Sequence, residues 1–408
     1  KIFVRIAKPR IIGESSSWFR KIWFFGHSID FYAHDFNDNA RKPDLQLRKQ
    51  LKKIFSEVFI NNIPTILNSL KSEQIKKSAP LFSDCIDKIL PLSIVEGLQA
   101  RLDYYNMMLK NWKLEQVHSF TGYYYNENFK IFALLAKRNG ANLVGHVHGA
   151  NNYQYKSYKW SNELRFLDYY TTYGKHITDH IKSTPECKRV NYISTGSTTF
   201  GAIPKWKKKT SSDVALLYPS GPLMDFMSDL QEISTEQHFE HRLNVLDFLN
   251  QLLKQNKMLK ILYKPFPGTY TNDPIKEKCS YYMKKGRIRL TENKPNKLYN
   301  KVDIVLWDSI STGFGECVTA GVPVIIFNSR HEYEKASTRG RIVNDELKNS
   351  GVQCFDIYSA IKSFNRIIND LDGYRKATRE SINMFKNDMA TPVTRKQWHD
   401  HFNNGMSS

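Results

Sequence analysis

The sequence predicts an α/β protein built from two Rossmann-like, doubly wound domains. Three observations support this class. Short apolar segments alternate with helical segments of amphipathic spacing over most of the chain after residue 117. The length of 408 residues favours two domains over a single core. Residues 201–212 interrupt the alternation with Gly, Pro, Lys, Thr and Ser, a composition typical of a linker.

The first predicted domain covers residues 1–203, and its second half alternates strands with helices. Asn126 can cap a helix that Gly140 ends, and the strand after it runs directly into His148. The predicted helices are Leu45–Phe59, Ile60–Leu70, Ile86–Lys110 with a break near Pro91, Asn126–Asn139 and Lys175–Lys182. The predicted strands are Val117–Phe120, Ala141–Val147, Phe166–Thr171 and Val190–Ser194.

Residues 204–212 form the predicted linker, 213–385 the second domain and 386–408 a helical tail. The predicted strands of the second domain are Val214–Tyr218, Lys260–Lys264, Ile288–Leu290, Val302–Trp307, Val324–Phe327 and Val352–Phe355. The predicted helices are Thr235–Gln255, Pro274–Lys285, a short one around Asn296–Tyr299, Phe314–Ala320, Ile357–Asp370 and Lys376–His401 with an interruption near Pro392.

Sixty Lys and Arg against forty Asp and Glu give a formal net charge of +20, which suits a polyanionic partner: nucleic acid, an acidic lipid surface or an acidic glycan. The basic residues are dispersed, with one dense cluster at Lys205–Lys209. The sequence contains no zinc-finger spacing, no Rossmann glycine fingerprint and no aromatic stacking platform, so nucleic acid is not an expected partner. No apolar run approaches the roughly 20 residues of a membrane helix.

Five widely spaced cysteines, an odd number, favour a reducing compartment over a disulfide framework. The expected location is therefore the cytoplasm. His146 and His148 form an HxH pair without an evident third ligand, and the acidic triplet at Asp370–Asp372 is more typical of solvated carboxylates. We therefore predict no metal and no cofactor. The chain begins with Lys1 rather than Met, so we expect a piece of a longer protein.

The most informative segment joins the predicted strand Val302–Trp307 to the helix Phe314–Ala320. Its hydroxyls and its glycine lie where a helix begins, and free N–H groups and the helix dipole favour anions there. The segment therefore predicts a phosphate site, although an ordinary βαβ unit whose Ser and Thr only cap the helix is the alternative. The candidate ligands are Ser309, Ser311, Thr312 and Gly313.

Two charged residues lie near this segment in the predicted fold. Lys264 ends a strand and can place its ammonium group at the carboxyl edge of the sheet, although a solvated lysine in a rigid turn is the alternative. Glu316 lies one turn into the helix, from where its carboxylate can accept hydrogen bonds from ribose hydroxyls. A purely helix-stabilising acid at that position is the alternative.

Ser220 and Gly221 close the first strand of the second domain, and the glycine would allow a ligand to approach the backbone. Asp225 and Asp229 follow and are either catalytic or helix-initiating.

In the first domain, His148 ends a strand beside Gly149, a placement that suits an acid, a base or an anion-binding group. Glu127 begins the preceding helix, and Glu163 and Asp168 follow His148 in the chain. Any of these carboxylates can be a general base or nucleophile, with a capping or surface role as the alternative.

Taken together, these segments resemble the GT-B glycosyltransferases, and more narrowly the bacterial transferases that use CMP-activated Kdo or sialic acid. In those enzymes a lysine- or histidine-proline motif ends one strand of the C-terminal domain, and a Ser-Ser/Thr motif opens a later helix. Both motifs hold the nucleotide phosphate. Here Lys264 and Pro265 match the first motif, although the usual histidine is absent. Ser309, Ser311 and Thr312 match the second motif. The His-Gly turn at His148–Ala150 is similar to one in a further family of bacterial transferases.

The resemblance implies a GT-B protein whose two domains face a cleft, with the donor nucleotide mainly on the second domain. It implies metal-independent transfer of Kdo or a related ulosonic acid from its CMP form to a bacterial surface glycan, such as lipopolysaccharide O antigen or capsule. The acceptor would be lipid-linked or an oligosaccharide, met at the inner face of the cytoplasmic membrane.

Three points stay open at this stage. No aspartate ends the strand Val117–Phe120, where retaining Kdo transferases would carry their nucleophile, so the stereochemistry is undecided. A CDP-dependent polyol phosphate transferase of the teichoic-acid type would share the architecture. A non-catalytic basic protein that binds nucleic acid or an acidic glycan is the third alternative.

Overall fold

The computed structural model describes residues 11–14, 28–31, 42–54, 57, 88, 95–147, 149, 164–183, 187–208, 213–221, 234–266 and 273–407. The chain divides into two compact units, Lys1–Leu143 and Val144–Ser408. The predicted domain boundaries, 1–203, 204–212, 213–385 and 386–408, stay predictions. Within the described residues, no helix is both long and apolar enough to cross a membrane.

The first sheet has six strands in the order β2-β1-β3-β4-β5-β6, and its described pairs are parallel. The strands are β1 Ile11–Glu14, β2 Ser28–Phe31, β3 Gln116–Ser119, β4 Asn142–His146, β5 Tyr169–Thr172 and β6 Asn191–Ser194. The helices described in this part are α1 Leu98–Lys110, α2 Gly122–Tyr125, α3 Glu127–Arg138, α4 Lys175–Lys182 and α5 Thr198–Gly201, and residues 45–54 are also helical.

Helix α3 forms for the reasons that its sequence indicates. The Asn126 side chain accepts a hydrogen bond from the Phe129 N–H at 3.0 Å and so satisfies one of the unpaired donors of the first turn. Phe129, Phe132 and Ala133 form its buried face. Gly140 then takes φ +94°, a left-handed conformation that favours glycine. The predicted cap and stop are both confirmed.

The second sheet also has six strands, in the order β12-β11-β10-β7-β8-β9, and all of its described pairs are parallel. The strands are β7 Ala215–Pro219, β8 Lys260–Lys264, β9 Ile288–Leu290, β10 Ile304–Trp307, β11 Val324–Phe327 and β12 Gln353–Cys354. The helices are α6 Thr235–Gln255, α7 Ile275–Lys278, α8 Ser280–Lys284, α9 Thr312–Ala320, α10 Arg330–Glu334, α11 Thr338–Ser350, α12 Ile357–Asn369, α13 Leu371–Met389 and α14 Arg395–Ser407. The predicted mixed α/β class with parallel sheets is confirmed.

The core of the second sheet lies between its strands and the apolar face of α6. A capping box fixes the start of this helix, because the Ser234 hydroxyl accepts from the Gln237 N–H while the Gln237 side chain accepts from the Ser234 N–H. Val245, Leu249 and Leu252 recur at helical spacing and are buried against the sheet. The helix has the predicted bounds.

Three predicted helices differ from the structure. In Ile86–Lys110 the described residues 95–97 form a turn, and α1 begins only at Leu98. Pro274–Lys285 is interrupted at Cys279, which is buried and has a non-helical φ of −115°, so two short helices replace one. The C-terminal segment forms α13 and α14 on either side of Pro392, which cannot donate to a helix and was the predicted break. Helix α11 was not predicted. Asp370 caps α13, consistent with a structural role for this acid.

Candidate functional site

The strand order of the second sheet places a topological switch point between β7 and β10. The chain leaves β7 towards β8 and β9 on one side and returns to β10, β11 and β12 on the other. Open parallel sheets bind ligands outside the carboxyl ends of the strands at this point. The residues that follow β7 and β10 there are Ser220 and Gly221, and Asp308 to Gly313.

Asp308 joins the two strand ends. Both of its carboxylate oxygens lie 2.9 Å from the Gly221 N–H, and Tyr218 donates its hydroxyl to one of them at 3.0 Å. The Asp308 side chain is buried. A Cβ at position 221 would lie 3.0 Å from the Asp308 carboxylate, so the close approach of this carboxylate explains the glycine.

Arg242 of α6 completes this buried cluster. Its guanidinium donates to Asp273 at 2.8 Å, to Asp308 at 3.2 Å and to the Gly221 carbonyl at 2.7 Å. It also donates to the Tyr263 hydroxyl, which in turn donates to Asp273. Burial opposes the charge of Arg242, but the tyrosine and carboxylate neighbours hold its pKa above the ordinary value. A charged arginine thus fixes the turn after β7.

Ser220 and Gly221 were predicted to contact the donor, which stays a prediction, and the structure shows protein partners for both. The Gly221 N–H and carbonyl are bound by Asp308 and Arg242. The Ser220 Oγ lies 3.1 Å from the Tyr263 hydroxyl oxygen and accepts from the Phe266 N–H at 3.2 Å. Because protein partners occupy these groups, both residues form the frame of the site.

Ser311 begins α9 without capping it. It takes the N-cap position in extended conformation, yet its side chain makes no capping hydrogen bond. Its Oγ is buried and has no hydrogen-bond partner in the described protein. A serine hydroxyl can turn between staggered χ1 positions, so this group can reorient towards a ligand at the positive end of the helix. The Ser311 side chain therefore does not cap the helix, and its role as a phosphate ligand stays a prediction.

Gly313, in the first turn of α9, lies against the ring of Trp307. A Cβ at position 313 would overlap that ring. Trp307 is held in place because its indole N–H donates to the Cys317 sulfur at 3.2 Å. Gly313 therefore lets the helix start pack directly on the last residue of β10, which fixes the direction of its first N–H groups.

Glu316 lies at the half-buried side of α9. Its carboxylate accepts a hydrogen bond from the Tyr299 hydroxyl at 3.3 Å. Burial raises the pKa of Glu316 above its ordinary value of 4.5, while the Tyr299 bond and the Lys294 charge act in the opposite direction. Glu316 is thus a carboxylate one turn behind Ser311, as its position in the sequence indicated.

Lys264 ends β8 as predicted. In the sheet one strand, β7, lies between β8 and β10, and the role of Lys264 as a partner of Ser309, Ser311 and Thr312 stays a prediction. Its ammonium donates to the Pro265 carbonyl at 2.8 Å. The Lys264 carbonyl accepts from the Ser220 N–H at 3.0 Å, which places the lysine next to the turn that Arg242 holds.

A sequence profile described as LIC12162 family transferase matches residues 9–402, almost the whole chain. The chain belongs to this transferase family. The predicted enzyme class of transferase is thereby confirmed. No curated protein sequence matches the chain.

Solved structures with a similar fold share little sequence with this transferase. Anabaena HepE in complex with UDP-glucose is 10% identical, with 97% of this chain and 99% of that chain covered and a TM-score of 0.48. MnaA of S. aureus with UDP is 14% identical, with coverages of 76% and 79% and a TM-score of 0.48. The UDP-GlcNAc 2-epimerase from Neisseria meningitidis, bound to UDP-GlcNAc, is 14% identical, with coverages of 76% and 81% and a TM-score of 0.45. Likenesses this distant carry no weight for the chemistry of the chain.

The predicted catalytic residues of the transferase are mostly outside the described residues, as His148, Glu163, Asp225 and Asp229 all are. Glu127 is described and exposed, in the first turn of α3, where an acid stabilises the helix dipole. Its catalytic role stays a prediction.

His146 of the HxH pair is buried in the transferase. Its Nδ1 lies 2.8 Å from the Thr171 hydroxyl, and its ring lies 6.0 Å from that of Trp398. Burial lowers the pKa of His146 to about 3, so the ring is neutral at physiological pH. No group of three or more His, Cys, Asp or Glu side chains with metal-site geometry occurs among the described residues.

The basic cluster Lys205–Lys209 is only in part a solvated run. Trp206 is buried and donates its indole N–H to the Val302 carbonyl at 2.9 Å. The Lys205 ammonium donates to the Thr319 carbonyl at 2.9 Å. This stretch of the predicted linker is therefore attached to the strand β10 and helix α9 region.

Proposed function

We propose that this transferase is a GT-B-type glycosyltransferase that moves a sugar from a nucleotide-activated donor to a bacterial surface glycan. The observation that carries the proposal is the uncommitted Ser311 hydroxyl at the start of α9, at the switch point of the second sheet. At the start of α9, a hydroxyl and backbone N–H groups can donate hydrogen bonds to a phosphate, and the positive end of the helix dipole attracts its charge. Ser309, Thr312 and Gly313 belong to the same proposed phosphate site.

The proposed donor is CMP-linked Kdo or a related ulosonic acid. CMP is a good leaving group, so the α9 N–H groups and Lys264 would be sufficient to stabilise the departing phosphate without a metal ion. His148 is the proposed acid or base, with Glu127 and Glu163 as the further candidates. Glu316 is the proposed ribose ligand.

The proposed acceptor is a lipid-linked glycan or an oligosaccharide at the inner face of the cytoplasmic membrane. The net charge of +20 supports a location at the membrane surface, because acidic lipids attract a basic protein.

Calorimetric titration with CMP, CDP, UDP and GDP, each with and without magnesium, tests the donor. Selective binding of CMP without magnesium is the expected result. A preference for CDP would favour a polyol phosphate transferase, and a preference for UDP or GDP would overturn the ulosonic-acid donor. If no nucleotide binds while an acidic glycan binds with steep salt dependence, the protein is a binding module.

Replacing Ser311 by Ala is expected to weaken nucleotide binding about ten- to a hundredfold, the usual effect of losing one hydrogen bond to a charged group. Lys264→Ala should weaken it by a similar factor or more, since an ammonium group is lost. Thermal unfolding should change little, and Lys284→Ala, at an exposed lysine of α8, is the matched control. Unchanged affinity in both variants would remove the phosphate site from α9.

Glu316→Gln is expected to raise stability and lower affinity together. Because burial raises the folded-state pKa of Glu316, the folded protein binds a proton more tightly than the unfolded chain does. Stability is therefore lost as pH rises from the unfolded pKa through the folded one. The variant should be more stable than the parent at pH 7, with the difference gone below about pH 4.

The same Glu316→Gln protein should bind a ribonucleotide more weakly than the parent protein does, because the side chain that accepts from the ribose hydroxyls is weakened. Its affinity for the deoxyribose analogue of that nucleotide should fall less. Denaturation at pH 4 and pH 7 with parallel calorimetry measures both effects. Greater stability with unchanged affinity would show that Glu316 has no ligand role.

A further inference from the structure

A cavity of about 470 Å³ opens at the carboxyl ends of β11 and β12. Its volume lies within the roughly 300–1,000 Å³ that is common for small-molecule sites. One face of α6 forms one wall, and the first residues of α10 and α12 form the other. Phe327, Asn328 and Ser329 are buried at its base.

Four polar side chains of this cavity have no partner among the residues that the structure describes. Glu240 and Asn244 lie one turn apart on α6, and Arg330 and His331 lie on α10 across the cavity. All four residues are exposed, and none of their side chains has a hydrogen bond or ion pair to another described residue. By contrast, Asp356 on the rim is engaged, because it caps α12 through the Ser359 N–H.

The two walls differ in chemistry. The α6 wall offers a carboxylate and an amide, which accept hydrogen bonds from hydroxyl groups, and the α10 wall offers a guanidinium, which binds carboxylates bidentately. Phe327 and Phe355 add apolar ring surface between them. A polyanion would be repelled by Glu240 and a lipid chain would leave these polar groups unsatisfied. A sugar with hydroxyls at one end and a carboxylate at the other satisfies both walls.

His241 connects this cavity with the switch point. Burial lowers its pKa, so the ring is neutral, and its Nε2 lies 2.8 Å from the Asp308 carbonyl. A carbonyl can only accept, so Nε2 carries the proton. The ring of His241 is stacked on Phe327 with centroids 5.8 Å apart. The cavity wall is therefore fixed directly to the residue that follows β10.

We propose that this cavity is a saccharide subsite for an acidic sugar, with Arg330 at its carboxylate and Glu240 and Asn244 at its hydroxyls. The inference rests on the proposed function and deepens it by assigning residues to the sugar. The sugar comes either from the donor or from the acceptor glycan, and the two sources are separated by experiment.

Saturation-transfer NMR with free Kdo at millimolar concentration tests the subsite without any nucleotide. The parent protein should transfer signal to Kdo and far less to glucose, which lacks the carboxylate. Arg330→Ala and Glu240→Ala should each weaken Kdo binding about five- to tenfold. The controls are Arg379→Ala on α13 and Gln251→Ala on α6, both exposed and outside the cavity. Equal transfer in parent, Arg330→Ala and Glu240→Ala proteins would overturn the proposal.

Calorimetry with CMP and with CMP-sialic acid then identifies the source. If the cavity holds the donor sugar, Arg330→Ala weakens CMP-sialic acid and leaves CMP unchanged. If the cavity holds the acceptor sugar, the affinities for CMP and for CMP-sialic acid stay unchanged in Arg330→Ala, while the saturation-transfer signal to free Kdo is lost. If the parent protein binds no nucleotide, the donor function is refuted. If Arg330→Ala then still removes the saturation-transfer signal to Kdo, the subsite is supported.

Discussion

Replacing Arg242 by Ala is expected to lower the free energy of unfolding by about 3–5 kcal/mol, the usual cost of removing one partner of a buried ion pair. The guanidinium binds both Asp273 and Asp308, and all three side chains are almost inaccessible to solvent. Without it, two carboxylates stay buried without their counter-charge. Urea denaturation followed by circular dichroism measures the loss.

Lys260→Ala is the matched control for this prediction, because it breaks the exposed ion pair of Lys260 with Asp213. Exposed pairs contribute at most about 1 kcal/mol. An Arg242→Ala protein that loses no more stability than Lys260→Ala would show that the cluster is not held by its charges.

A triple variant separates charge from packing. Arg242→Met combined with Asp273→Asn and Asp308→Asn removes the arginine and both charges together, so no uncompensated ion stays buried. It should recover part of the stability that Arg242→Ala loses. If it is as unstable as Arg242→Ala, the lost hydrogen bonds to Gly221 and Tyr263 explain the effect instead.

The sequence contained a signal for this cluster. Arg242 lies three residues before Val245 and seven before Leu249, so it falls on the apolar face of α6, where a charge requires a buried partner. The identity of that partner could not be predicted, because Asp308 is 66 residues away and only the strand order brings it close.

The segment after β10 could be predicted more fully, because its signals are local. An apolar strand, a polar turn and a helix ended by Gly321 follow one another in sequence, and the structure has them in that form. Strand adjacency is not local. The sequence therefore placed Lys264 at the correct edge of the sheet but did not reveal that β7 lies between β8 and β10.

The reason for the glycine at position 313 also could not be predicted from the sequence. Sequence reasoning placed this glycine in the phosphate site at the start of the helix, and the structure shows the Trp307 ring where a Cβ at position 313 would lie. Neither interpretation excludes phosphate binding at the neighbouring N–H groups. They differ in what an added methyl group would do.

Gly313→Ala is expected to destabilise the protein by about 1–3 kcal/mol through overpacking against Trp307. Helix propensity alone predicts the opposite sign, since Ala is favoured over Gly by about 1 kcal/mol. Displacing the start of α9 should also weaken nucleotide binding about tenfold or more. Denaturation and calorimetry on the same protein measure both effects.

The Gly313→Ala substitution should also be tested in a protein that carries Trp307→Leu, because the smaller side chain leaves room for a methyl group at position 313. In that background Gly313→Ala should be neutral or stabilising, so a double-mutant cycle should give a coupling free energy of roughly 1–3 kcal/mol. Additive effects would mean that the ring does not set the requirement for glycine. If stability recovers in the double variant while nucleotide affinity does not, the bare backbone at position 313 is itself needed by the phosphate.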